Sequence, residues 1–187
     1  MLEKLKHLET ESLKRRIPII NSIKSEILFN KIKELKPKKI LELGTANGYS
    51  GCILGSQGGE LTTIEIDAKI AEEARINFEK FNINAKIIVG DGVKEIKNFP
   101  DEYFDLVFID FAKRKYLEIL EDCIRVAKNN NFIIADNVDF DKCKDFKQAI
   151  STHKNLKTEI INGLSISQKH RKWNFLALEK NKVFSKS

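Results

Sequence analysis

Apolar residues in this chain recur first at helical and then at strand spacing. In "MLEKLKHLETESLKRR", Leu2, Leu5, Leu8 and Leu13 fall near the helical period, which predicts an amphipathic helix over residues 2–16 that breaks before Pro18. "NSIKSEILFNKIKEL" (21–35) opens on Asn21, a good N-cap, repeats apolar residues at Ile23, Ile27, Leu28 and Ile32, and is stopped by Pro37. From residue 39 strands and helices alternate. "KILEL" (39–43), "LTTIEI" (61–66), "AKIIVGD" (85–91), "FDLVFID" (104–110) and "FIIAD" (132–136) read as strands. Between them, "GYSGCILG" turns into a helix, "DAKIAEEARINFEKF" (67–81) is a helix capped by Asp67, "GVKEIKNF" is a short one and "KYLEILEDCIRVAK" (115–128) a longer one. Strands this apolar cannot face water, so the alternation predicts an α/β fold with a parallel sheet covered on both sides. The tail differs: "DKCKDFKQAISTH" is helical, but residues 157–180 hold two or three strand candidates with no helix between them. An antiparallel hairpin at the sheet edge satisfies that pattern.

A length of 187 residues suits one domain, with residues 1–36 as N-terminal helices and 37–187 as the α/β core. The balance of 42% hydrophobic and 32% charged residues is that of a globular protein, and no apolar run approaches the roughly 20 residues of a membrane span. The N-terminus is charged throughout and lacks the apolar core of a signal peptide, so the expectation is a cytoplasmic protein with no membrane partner. Three cysteines, none in C-x-x-C spacing, point to reduced thiols rather than disulfides or a zinc knuckle. His7, His153 and His170 are scattered, which argues against a histidine-based metal site. The net charge of +6 and the basic clusters at 13–16, 36–39 and 168–172 leave two readings open: a solvated lysine-rich surface, or contact with an acidic partner such as RNA.

The chemistry concentrates at the strand ends. "ILELGTANGYSG" places Gly44 and Gly48 between the first strand and a helix, where glycine allows a tight turn and close approach of a ligand. Their spacing is not G-x-G-x-x-G, so a nicotinamide dinucleotide is disfavoured. Glu65 ends the second strand 21 residues after Gly44, where an acid can accept hydrogen bonds from both hydroxyls of a ribose. A helix cap is the alternative for Glu65, but Asp67 suits that role better. Asp91 and Gly92 end the third strand within reach of an adenine. "DLVFIDFAKRKY" and "NFIIADNV" are apolar runs ending in Asp110 and in Asp136 beside Asn137. Two acids and an amide at neighbouring strand ends suggest a metal, unless Asp110 is a cap and Asp136–Asn137 a turn.

These segments together resemble the S-adenosylmethionine-dependent O-methyltransferases of the catechol and caffeoyl-CoA type. The match runs over roughly residues 17–168 through "ILELGTANGYS", "LTTIEID", "VGDG", "FDLVFIDFAKRKY" and "FIIADNV", in the family order. The resemblance implies a Rossmann-like class I methyltransferase fold with a mostly parallel seven-stranded sheet. It assigns Glu42, Gly44, Tyr49 and Ser50 to the methionine end of the cofactor, with Gly48 in the same turn. Glu65 falls to the ribose, Asp91 and Gly92 to the adenine side. Asp110, which also borders the cofactor, joins Asp136 and Asn137 as ligands of Mg²⁺ or another divalent cation, and Lys113 is the catalytic base. Two carboxylates and an amide leave positions on such a cation for two adjacent substrate oxygens, so the implied substrate is a small molecule of vicinal-diol type. The family often carries a second acid where this chain has Ala112, and many relatives have a glycine after the Asn137 position that is missing here. "RRIPII" is similar to the start of bacterial tRNA hydroxyuridine methyltransferases, which keeps a hydroxylated uridine of tRNA as the alternative substrate. A non-catalytic nucleotide-binding module would have no use for the metal set. Relatives are commonly homodimers, and the helix at 2–16 serves either an interface or the core.

Overall fold

The computed structural model describes residues 1–170. The third strand candidate, Trp173 and the end of the 168–172 basic cluster lie outside the described residues. Two helices, α1 (Leu2–Lys14) and α2 (Ser22–Leu35), precede the alternating part. That part runs β1 (Lys39–Leu43), α3 (Tyr49–Leu54), β2 (Glu60–Glu65), α4 (Ala68–Lys80), β3 (Ala85–Val89), α5 (Gly92–Glu95) and β4 (Phe104–Ile109). It continues with α6 (Leu120–Val126), β5 (Ala127–Ala135) and α7 (Lys144–Thr152), and closes on the hairpin of β6 (Leu156–Ile161) and β7 (Leu164–Lys169). The strands form one seven-stranded sheet in the order β3-β2-β1-β4-β5-β7-β6. Pairing is parallel from β3 through β5, while β7 runs antiparallel to both β5 and β6. This is the mostly parallel Rossmann-like arrangement with a C-terminal hairpin that the sequence implied.

Successive strand residues point to opposite faces, and the core splits accordingly. Leu41, Val107 and Ile133 pack with Phe146 and Ile150 of α7 on one side; Ile40, Leu106 and Ile134 pack with Leu28, Ile32 and Ile53 on the other. Helix α1 adds Leu5 and Leu8 to the second side, worth about 2 kcal/mol each if fully removed from water. No helix among the described residues is long and apolar enough to cross a membrane.

Two element boundaries and the inward face of one helix differ from the sequence pattern. Helix α1 ends at Lys14, and Leu13 is exposed rather than part of the apolar stripe. On α2, Ile23 is 60% exposed, and the inward row is Lys24, Leu28 and Ile32, at a spacing of four. Lys24 replaces an apolar residue there because its ammonium meets a buried acid. The helix expected over 115–128 covers only Leu120–Val126, since β5 already starts at Ala127. The ladder to β4 slips between Phe104↔Ala127 and Leu106↔Phe132, with Asn130 at φ 63 within the bulged segment, so the polar "KNNN" run is accommodated in a long strand.

Candidate active site

In a parallel sheet the C-terminal strand ends and the turns that follow them form one crevice. Here that crevice is a cavity of about 930 Å³, large enough for a nucleoside-sized cofactor and a small second molecule. Its walls include Gly44, Tyr49, Ser50, Glu65, Asp91 and Gly92 from the first half of the sheet. Asp110, Lys113, Asp136 and Asn137 line it from the second half. Of the residues singled out in the sequence, Glu42 and Gly48 alone stand behind this wall rather than in it.

Gly44 brings the two halves together. It has φ 98, and a Cβ there would lie 2.2 Å from the Asp110 carbonyl oxygen, so the turn after β1 can pass over the end of β4 only as glycine. Gly48, at φ 88, is the N-cap of α3, and a Cβ there would press on the Phe78 ring at 3.0 Å. Its contribution is the shape of the turn. Glu42 is fully buried on β1: Ser50 donates its hydroxyl to Oε1 at 2.6 Å and Thr63 donates to Oε2 at 2.7 Å. Burial pushes the Glu42 carboxyl up to about 8, against the pull of these two hydroxyls. The residue thus acts on the cavity through Ser50.

The carboxylates at the ends of β2 and β3 are held by main chain. Glu65 accepts from the Ala46 N–H at 2.9 Å and from the Asp67 N–H at 3.0 Å, which fixes it at the end of β2 without spending a cation. Asp67 caps α4 through the Lys69 and Ile70 amides, as its position suggested, and leaves Glu65 to face the cavity. Asp91 caps α5 through the Val93 N–H at 3.0 Å while bordering the same space.

The carboxylates of the other half are held by lysines. Lys113 Nζ donates to Asp110 Oδ1, and both side chains are mostly buried. Burial raises the Asp110 carboxyl above its ordinary range, with the Lys113 charge pulling the other way. Asp136 Oδ1 accepts from Lys24 Nζ at 2.6 Å and from the Asn137 N–H at 2.7 Å. Asn137 adopts φ 58, a conformation asparagine tolerates, and its side-chain amide has no hydrogen-bond partner among the described residues. Tyr116, which received no role from the sequence, is a packing residue: it stacks near Phe111 and donates to the Ile109 carbonyl at 3.1 Å. All three cysteines are buried and free.

Sequence reasoning missed two contributors. The segment Arg16–Ile19 between α1 and α2 lines the cavity; "RRIPII" drew attention only for its likeness to tRNA-modifying relatives, and none of its residues was given a place in the site. Lys24 received no role from the sequence, although its spacing of four from Leu28 and of eight from Ile32 puts it on the inward stripe.

The O-methyltransferase family model matches residues 1–160. A catechol O-methyltransferase of Mycobacterium tuberculosis is 32% identical over 110 residues, covering 56% of this chain and 50% of that protein. Catechol O-methyltransferase B of Danio rerio is 31% identical over 144 residues, 71% of this chain and 54% of the relative. The chain thus spans about half the length of the curated relatives it matches. Among solved structures, a putative caffeoyl-CoA O-methyltransferase from Staphylococcus aureus superposes with a TM-score of 0.81 at 25% identity, over 88% of this chain and 91% of the other. An O-methyltransferase from Bacillus cereus, solved in complex with SAH, superposes with a TM-score of 0.76 at 22% identity over 89% and 90% of the two chains. With the family model spanning most of its length and the fold agreeing, the chain belongs to the O-methyltransferase family.

Proposed function

We propose that the protein transfers the methyl group of S-adenosylmethionine to one hydroxyl of a vicinal oxygen pair on a small molecule, with a divalent cation such as Mg²⁺ at the site. The observation that carries the reading is the meeting of Asp110, Asp136, Asn137 and Lys113 in the same cavity as Gly44 and Glu65. Membership of the family and the SAH bound by the Bacillus cereus relative support the cofactor.

The residues present fit a hard divalent cation. Asp110 and Asp136 each commit one oxygen to a lysine, and no hydrogen bond among the described residues falls on the other oxygen of either. With the unpaired Asn137 amide, that makes an all-oxygen donor set of the kind Mg²⁺ prefers. A bound cation would supply charge stabilisation for an ionising substrate hydroxyl and order two adjacent oxygens.

The chain's own residues do the rest. Glu65, fixed by two backbone amides, presents its remaining lone pairs to the ribose hydroxyls, and Asp91 and Gly92 border the adenine. Tyr49 and Ser50 face the methionine end, with Glu42 setting the Ser50 hydroxyl. Lys113 is the catalytic residue for the proton: its Nζ, an ammonium paired with Asp110 in the free site, gives up a proton to solvent as the substrate binds, then accepts the substrate hydroxyl proton and returns to the Asp110 pair. The substrate oxygen then attacks the methyl carbon in line, the carbon–sulfur bond breaks, and its electron pair stays on sulfur as the neutral thioether of S-adenosylhomocysteine. Positioning of the two partners supplies much of the acceleration in such a reaction.

A second reading, methylation of a hydroxylated uridine in tRNA, draws on the basic rim, where exposed Arg16 and Lys115 line the cavity. One assay tests both: methyl transfer measured with a catechol and with unmethylated tRNA, each with and without Mg²⁺. Turnover of the catechol only in the presence of the metal is the expected result. Turnover that ignores the metal overturns the metal assignment, and turnover of tRNA alone with salt-sensitive binding replaces the substrate.

A further inference from the structure

Lys24 lies 112 residues from Asp136 in sequence and 2.6 Å from it in space. Its side chain is 10% exposed and that of Asp136 is 3% exposed, so both charges are held away from water. Lys24 does not line the cavity, whereas Asp136 does. The ammonium therefore stands behind the carboxylate, on the side away from substrate. With Lys113 on Asp110, the two acids of the cluster are matched by two cations of the chain itself. A dication arriving between two free carboxylates would meet two negative charges; arriving here it meets a cluster with no net charge.

We propose that Lys24 is a built-in counter-cation for Asp136, a positioning residue that sets the divalent-metal affinity of the site by competing electrostatically with the metal. The inference rests on the metal reading above. Two effects of Lys24 oppose each other: its hydrogen bond aims the carboxylate, which favours metal, and its charge offsets the carboxylate, which disfavours it. Charge wins here, because the Asn137 N–H donates to the same Oδ1 at 2.7 Å and keeps the aim when Lys24 is gone. The neighbouring Gly163 carbonyl accepts from the Val138 N–H and fixes the chain after Asn137 independently of Lys24.

The test is Mn²⁺ binding to the cofactor-free protein, measured by calorimetry, for wild type, Lys24→Gln, Lys24→Met and Lys24→Arg. Lys24→Gln keeps a donor without the charge, and Lys24→Met removes both. Both are expected to bind Mn²⁺ roughly tenfold more tightly than wild type, about 1.4 kcal/mol, while Lys24→Arg stays within about twofold. Thermal unfolding gives a readout independent of turnover. The neutral variants melt lower than wild type without metal and gain more from saturating Mn²⁺, because the metal replaces the missing cation. Equal or weaker Mn²⁺ binding by both neutral variants overturns the proposal and leaves Lys24 as a structural ion pair, while the metal site itself stands. Absence of Mn²⁺ binding in all four proteins overturns the metal reading and this inference together.

Discussion

The two halves of the cavity hold their carboxylates by different means. At the ends of β2 and β3, Glu65 and Asp91 are fixed by backbone N–H groups alone; at the ends of β4 and β5, Asp110 and Asp136 each take an ammonium group, joined on Asp136 by the Asn137 N–H. A carboxylate held by amides keeps its full charge and its outward lone pairs, which suits the recognition of neutral hydroxyls. A carboxylate paired with lysine is charge-balanced, and its negative charge becomes available when another cation or a proton transfer disturbs the pair. On the proposed reading, one half recognises the cofactor and the other exchanges charge.

The largest effect expected from breaking this contrast is on turnover. Asp136→Asn keeps the shape of the side chain, leaves the first half untouched and removes one charge from the second. Methyl transfer should fall roughly 10³-fold, the loss of several kcal/mol of charge stabilisation, while S-adenosylmethionine binding by calorimetry changes by less than about threefold. A comparable loss in cofactor binding would mean that the halves do not work separately.

Next in size is the stability stored in the distant pair. Lys24→Met alone leaves Asp136 without its counter-ion and should cost about 3 kcal/mol in urea unfolding without metal. Lys24→Met combined with Asp136→Leu should cost less than that single change, since burying neither charge avoids both desolvation penalties. Additive losses would show that the two side chains are energetically independent despite their 2.6 Å contact.

The same division governs what could be read from sequence. The partners of Glu65 and Asp91 are amides at most 19 residues away, and their roles follow from a strand end, a glycine turn and a cap, all local patterns. The sheet was legible for a similar reason, because buried parallel strands announce themselves as apolar runs bounded by turns. Lys24 was illegible as a partner of Asp136 because its meaning depends on a contact made only after α2 docks against the end of β5. Ile23 illustrates the cost of that blindness: apolar composition placed it inside, but packing turned it out and turned Lys24 in. The early end of α6 escaped notice because Ala127 and Lys128 continue a helix readily until the ladder with β4 forms.

Glu42 belongs to neither group, being fully buried and held by hydroxyls, and it separates burial from function. Its carboxyl titrates near 8 in the folded protein against 4.5 for the ordinary group, so the unfolded chain releases this proton first as pH rises. Its contribution to stability is complete below about pH 4.5 and is lost progressively as pH climbs through about 8, at up to roughly 1.4 kcal/mol per pH unit within that window. Glu42→Gln should flatten that slope in urea titrations at pH 5 to 8. A slope unchanged by the substitution would assign the pH dependence to other groups.

The smallest effect sharpens the recognition half. Glu65→Gln keeps one acceptor oxygen on the backbone amides but replaces the other by a donor, which faces Asp67 N–H or Ala46 N–H unfavourably and offers the ribose a poorer partner. S-adenosylmethionine affinity should fall about tenfold, near 1.4 kcal/mol, as expected when hydrogen bonds to a charged group are weakened. Mn²⁺ affinity should not change, because among the described residues no lysine pairs with Glu65 and neither Asp110 nor Asp136 hydrogen-bonds to it. If the metal affinity moved together with that of the cofactor, the charge of Glu65 would have to act across the cavity, and the amide-held and lysine-held carboxylates would be parts of one electrostatic unit.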